Sequence, residues 1–287
     1  MKNKAKIGII GGSGLYNIEG MENIRQIKIK TPFGMPSGNI TIGTLKNTDI
    51  TFISRHGKGH VINPFEINYR ANIYALKLLG VKSIISISAV GSLKENLKPG
   101  DLVLIDQFFD NTKSRVSTFF RDGIVAHVSL ANPICENLTN ILYKSAKKLN
   151  ITTHKGGTYL CMEGPQFSTK AESNIYRKLG FDVIGMTNAT EAKLSREAEI
   201  CYASLCFVTD YDCWHDSEEN VSVEMVLKIL LDNAEKGKKI LKESIKNINA
   251  IENCECRHSL KNAIITNHSS IPTKIKKRLS AIIGEYI

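Results

Sequence analysis

The chain has 287 residues, 42% hydrophobic and 23% charged, the balance of an ordinary globular protein with enough apolar material to build a core without staples. Its formal charge is +10, yet the lysines are scattered, often beside Glu, and no basic stripe interleaved with aromatics points to nucleic acid; an anionic substrate and plain lysine usage both stay open. No apolar run approaches the ~18 residues of a membrane span, and the opening MKNKAKIGIIGG turns from apolar to glycine after about five residues, so it reads as a first strand of a cytoplasmic protein rather than a signal peptide.

In chain order, KIGII (6–10), NITIGTL (39–45), ITFIS (50–54), SIISIS (83–88), DLVLIDQF (101–108), YLCMEG (159–164), DVIGM (182–186) and CYASLCFVTD (201–210) read as strands, rich in Ile, Val, Phe and Tyr and bounded by Gly, Asp or Asn. Between them fall helical patterns at 63–80, 132–150, 168–180, 190–199 and 222–248. The first has Asn63 as a candidate N-cap, Pro64 at the first helical position and Gly80 at the stop. The alternation predicts a single α/β domain over 1–260, a sheet with helices on its faces. A tail, 261–287, ends in an amphipathic helix with Ile275, Leu279, Ile282 and Tyr286 on one face and Lys276, Lys277 and Arg278 opposite. Such a helix binds a membrane surface or, more often, docks on its own protein.

Five strand ends carry chemistry. GGSGLY (11–16) is a glycine loop after a strand, a shape that cradles phosphate with backbone N–H groups. It does not complete a dinucleotide fingerprint, because Asn17 stands at the third glycine position, and it has no Walker lysine. Ser13 therefore reads as a hydroxyl donor in a small anion site, with a plain tight turn as the competing reading. RHGKGH (55–60) offers Arg55 and His56 as a cationic wall, with Lys58 and His60 in solvent. SAVGSL (88–93) and GMTN (185–188) add Ser88 and Thr187. Strand ends of an open α/β sheet converge on one crevice, so these groups suit one phosphate. VTDYDCW (208–214) supplies the paired carboxylates Asp210 and Asp212, either base-facing groups or a turn.

The seven cysteines do not form two CxxC pairs with zinc-finger spacing. The default is buried, reduced thiols and no metal. CEC (254–256) is the exception, too short for a relaxed structural bridge; in a chain from a hot environment, Cys135 with Cys201 and Cys254 with Cys256 are the conceivable pairings.

Taken in order, GGSGLY, RHGKGH, NYRANIYALK, SAVGSL, MEGPQFSTKAES, GMT and VTDYDCW resemble the 5′-methylthioadenosine phosphorylases, the adenine-preferring branch of the trimeric purine nucleoside phosphorylases. The resemblance covers roughly residues 5 to 260, and MEGPQFST and TDYDCW are its specific parts. It implies a central mixed β-sheet, partly barrel-like, flanked by helices, in homotrimers that sometimes double to hexamers. By position, Ser13, Arg55, His56, Ser88, Ala89 and Thr187 would bind phosphate. Met186 would pack on the ribose and Phe167 on the purine. Asp210, as catalytic group, would face the base edge with Tyr211 and Asp212. Ser168 would mark an adenine-type site. Val223, Val226 and Leu227 would line the pocket for the 5′ substituent, closed by His127 of a neighbouring subunit.

The implied reaction is reversible phosphorolysis of 5′-methylthioadenosine to adenine and 5-methylthioribose 1-phosphate, in purine and methionine salvage. Inorganic phosphate would be the co-substrate, with no cofactor, no metal, and no nucleic-acid or membrane partner. The alternatives are a broader purine nucleoside phosphorylase acting on adenosine, inosine or guanosine, and a binding protein without turnover. Two departures stand out: NATEA (188–192) replaces a Val-Pro-type pair before Glu191, and Ser88 replaces a Thr found in some members.

Overall fold

The most apolar runs of the sequence become the middle of the sheet. Strands β1 (Ile7–Gly11), β4 (Thr48–Ser54), β5 (Ser83–Ser92) and β11 (Cys201–Asp210) lie side by side in the order β4-β1-β5-β11, all parallel. They are buried almost throughout, as continuous aliphatic runs require when helices cover both faces. The computed structural model describes residues 5–12, 18–215, 223–251 and 253–287, and of 223–228 and 230 the backbone alone. Among these residues the chain forms one mixed sheet of 11 strands, flanked by six α-helices.

β5 is the hub. Its first residues pair with β1, its whole length with β11, and its last residues with β10 (Val183–Gly185) in the opposite sense. One branch continues through β10 to β9 (Thr158–Cys161) and β7 (Gln107–Asp110); another leaves β11 for β6 (Leu102–Leu104) and β8 (Thr153–Lys155). On the far side, β3 (Ile40–Leu45) and β2 (Glu22–Ile27) extend β4 antiparallel.

Three expectations change. The run 101–108 is two strands, split where Gly157 N–H donates to the Asp106 carboxylate and Asp106 N–H to Gly157 O. Strand β2 shows no apolar alternation because it is an exposed edge. The helix expected from residue 63 is α1 (Tyr69–Leu78), capped by Asn68, whose side chain accepts from Ala71 N–H. Asn63 instead donates its N–H and its amide to Glu66 Oε2, a local turn that imitates a cap in sequence.

The remaining helices are α2 (Glu136–Lys148), α3 (Lys170–Lys178), α4 (Asn188–Glu197), α5 (Val223–Asn249) and α6 (Thr273–Ile283). α6 buries Ile275, Leu279, Ile282 and Ile283 in the same core as the sheet. Tyr74 Oη of α1 donates to Arg278 O, and Tyr286 Oη to Glu199 Oε1. Its apolar face is thus occupied by its own protein. No helix among the described residues is long and apolar enough to cross a membrane.

Candidate active site

β1, β4, β5 and β11 run the same way, so Gly11, Ser54, Ser88 and Asp210 approach one edge of the sheet. Ser13 lies outside the described residues, as do the side chains of Val223, Val226 and Leu227. The others divide into two groups.

The first group surrounds Arg55, which follows β4 and is 4% exposed. Its Nε and Nη2 hold both oxygens of Glu191, at 2.5 and 3.2 Å. Nη2 also donates to Ser86 Oγ, and Nη1 to Ile87 O. A guanidinium has five N–H donors; among the described residues four are engaged, leaving one for an anion. Burial opposes its charge, but Glu191 outweighs burial and raises its pKa. The wall expected from RHGKGH is therefore a neutral ion pair. His56 is neutral too: burial, then Arg55, lowers its pKa to about 4. Its Nδ1 lies 2.8 Å from Ile62 O, a contact that needs the proton on Nδ1 and leaves Nε2 as an acceptor. His60 stacks on it at 4.2 Å.

Asn188 organises the same group. Its Oδ1 accepts from Ser88 Oγ at 2.8 Å and Thr187 Oγ1 at 3.1 Å, and its Nδ2 donates to Ser204 Oγ at 2.6 Å. Ser86 and Tyr202 hydroxyls donate to Glu191 Oε2. NATEA is thus no irregular turn: it is the first turn of α4, sending Asn188 and Glu191 under the strand ends. Thr187 is the N-cap of α4, with no side-chain cap bond. An anion there meets the positive end of the helix. Ala89 and Met186 are half-buried beside it in sequence.

The second group is at the end of β11. A bulge between Val208 and Asp210 shifts the register against β5, and such bulges re-aim a side chain. A Cβ on Gly91 would lie 3.0 Å from Asp210 Oδ1, so glycine lets the carboxylate come close. Asp210 accepts from Thr209 Oγ1 at 2.6 Å and Asp212 N–H at 2.8 Å. Burial raises the pKa of Asp212, against the nearby hydroxyls of Ser173 and Ser168. Ser168 O accepts from the Cys213 thiol, joining the MEGPQFST and TDYDCW segments. Phe167 is 57% exposed, whereas Tyr211 is buried and stacks on His215. His127 is exposed, its N–H on Ala263 O, and among the described residues no hydrogen bond ties its ring to either group.

Sequence reasoning missed Arg115 as well as Asn188 and Glu191. Arg115 donates to Tyr69 Oη, Met186 O and Glu163 O, and its Nε contacts the Glu163 carboxylate. It pins the loop after β9 to the turn after β10. A Cβ on Gly164 (φ +68°) would strike Met186 Sδ, so that loop packs directly on Met186. Arg115 sits in a loop with no periodic signal. Asn188 and Glu191 stood inside the one stretch that departed from the expected pattern.

Comparison with known proteins gives a consistent result. The model of the phosphorylase superfamily matches residues 6–246. The S-methyl-5′-thioadenosine phosphorylase of Geobacter sulfurreducens is 51% identical over 98% of this chain and 99% of its own. The crystal structure of a methylthioadenosine phosphorylase from an antarctic soil metagenomic library superposes with a TM-score of 0.94, at 48% identity over 98% of this chain and 99% of that one. A mutant adenosine/methylthioadenosine phosphorylase from Schistosoma mansoni, in complex with methylthioadenosine, superposes with a TM-score of 0.83 at 36% identity, over 93% and 99%.

Proposed function

Since the chain belongs to the phosphorylase superfamily and, within it, to the S-methyl-5′-thioadenosine phosphorylases, we propose that it is a pentosyltransferase that cleaves 5′-methylthioadenosine with phosphate. The products are adenine and 5-methylthio-α-D-ribose 1-phosphate. The observation that carries this reading is the spacing of the two groups along β5. Ser88 touches the Asn188 network and Gly91 touches Asp210. They are three steps apart along the strand, about 10 Å, and on this reading the ribose spans that gap with phosphate at one end and purine at the other.

On this reading phosphate sits at the N-terminus of α4, among Ser13, Ser88, Ala89 and Thr187, with the one remaining Arg55 N–H, and His56 Nε2 accepts from a protonated phosphate oxygen. A phosphate oxygen attacks C1′ as the C1′–N9 bond breaks, and its charge stabilises the oxocarbenium-like sugar. The electron pair of that bond goes to the purine, which takes a proton at its imidazole nitrogen. Asp210 faces that edge. On this reading Asp210 supplies that proton as general acid, with Asp212, whose pKa burial raises, beside it. A carboxylate also accepts from an exocyclic amine, which suits adenine. Met186, Phe167, Ser168 and Tyr211 line the nucleoside; Val223, Val226, Leu227 and a neighbour's His127 would enclose the methylthio group. A trimer acting in the cytoplasm, in purine and methionine salvage, accords with this chemistry.

A second reading is turnover of adenosine as well, favoured by the relative from Schistosoma mansoni named for both nucleosides. The test is phosphorus NMR of protein mixed with 5′-methylthioadenosine and phosphate. A sugar 1-phosphate signal that grows with free adenine is expected; adenine with unchanged phosphate would mean hydrolysis, and no change would mean a binding protein.

A further inference from the structure

The seven cysteines are all unbonded, and four of them meet. Cys135 stands at the N-cap of α2, Cys201 opens β11, and Cys254 and Cys256 enter with a short 3-10 turn at Glu255–His258. All four are buried, and their sulfurs lie within 4.8 Å of one another, Cys135 and Cys254 at 3.6 Å. We propose that Cys135, Cys201, Cys254 and Cys256 are the ligands of a structural zinc ion that clamps the C-terminal segment to the sheet.

The distances decide between candidate uses. Zinc bound at about 2.3 Å by four thiolates puts the sulfurs about 3.8 Å apart. A disulfide needs about 2.05 Å, and a pairing of four mutually close thiols would have to break one cluster into two. A multi-iron cluster gives each iron its own sulfurs and spreads them further. Four sulfur ligands select a soft tetrahedral ion over magnesium or calcium. Zinc binding is balanced by release of the four thiol protons, leaving a centre with two net negative charges.

The site stands apart from the chemistry. Cys201 and Asp210 are the two ends of β11, some 30 Å apart in extended chain. What the cluster does join is the segment after α5: Leu260 and Ala263, and α6 with Ile275 and Leu279, enter the core beside it. Sequence spacing hides the site because its ligands come from three elements and include Cys-x-Cys rather than two CxxC pairs.

The test is metal analysis of the full chain produced in zinc-supplemented medium and purified without chelator. Spectra of protein produced with Co2+ instead serve as a second readout. The proposal predicts one zinc per chain, bands of tetrahedral thiolate-bound Co2+, and loss of both in the Cys254→Ser/Cys256→Ser double variant. That variant should melt at a lower temperature yet release adenine with kcat/KM unchanged while folded. Should the variant not fold, the wild-type zinc content and Co2+ spectrum still decide. Metal-free wild-type protein whose four thiols alkylate freely, or a mass short of four hydrogens from two disulfides, overturns it.

Discussion

The two halves of the site, proposed to take phosphate and base, are built on opposite principles. Around Arg55, Asn188 and Glu191 nearly every donor and acceptor is already paired inside the protein, and the side chains are buried. Asp210 accepts from its chain neighbours Thr209 and Asp212, and Phe167 is mostly exposed. The difference teaches that charge in a sequence is not charge at a site. RHGKGH looked strongly cationic, yet its arginine is neutralised by Glu191 and both its imidazoles have lowered pKa values. What is left for the anion is a set of hydroxyls, one N–H of a buried guanidinium and a helix end, which suit a small anion that must come and go.

If the phosphate half is a prebuilt network, breaking it should damage folding first. Arg55→Ala leaves the Glu191 carboxylate buried and unpaired, which costs about 3–5 kcal/mol. Denaturant titration should show this, with partial recovery in the Arg55→Ala/Glu191→Ala double variant. Equal losses in the single and double variants would mean that the pair is not coupled. The base half should behave the other way. Asp210→Asn should lower kcat by ~10²–10⁴ with the denaturation midpoint unmoved, and shift preference toward 6-oxopurines, whose oxygen accepts from the new amide. An unchanged preference removes Asp210 from the base edge.

Smaller effects sharpen the division. Asn188→Ala removes the acceptor that holds the Ser88 and Thr187 side chains in place; with their positioning lost, KM for phosphate should rise about tenfold, the equivalent of one hydrogen bond of ~1.4 kcal/mol, with KM for the nucleoside constant. Phe167→Ala should raise the nucleoside KM alone, and stability should stay within ~0.5 kcal/mol, as for other exposed positions. Steady-state kinetics with each substrate varied in turn checks both. The smallest effect is one of pH. His56 has its pKa lowered from 6.5 to about 4, so between those values the unfolded chain binds the extra proton. Its contribution to stability is complete above pH 6.5 and fades as pH falls toward 4. His56→Gln should flatten that part of the melting-temperature profile. Glu197 opposes it: burial raises its carboxyl to about 7, and its contribution is lost as pH rises through that value.

The centre of the fold was legible because strands buried on both faces are written as continuous aliphatic runs; β11 matches its expected limits at both ends. The exposed edge β2 had no such signature, and Asn63 with Glu66 copied the chemistry of a helix cap five residues before the true one, Asn68. At the site, hydroxyls and carboxylates after strands were legible because strand ends converge. Their partners were not: Glu191 is 136 residues from Arg55 and Asn188 100 from Ser88, and only the sheet brings them together. The four clustered thiols were hidden for the same reason.

The most direct measurement is base release from 5′-methylthioadenosine, adenosine and inosine, each with and without phosphate. Adenine release that requires phosphate, with kcat/KM highest for 5′-methylthioadenosine, is the result expected of a hydroxyl-lined anion site joined to an amine-reading carboxylate. Release without phosphate, or inosine turned over as well as 5′-methylthioadenosine, would contradict it.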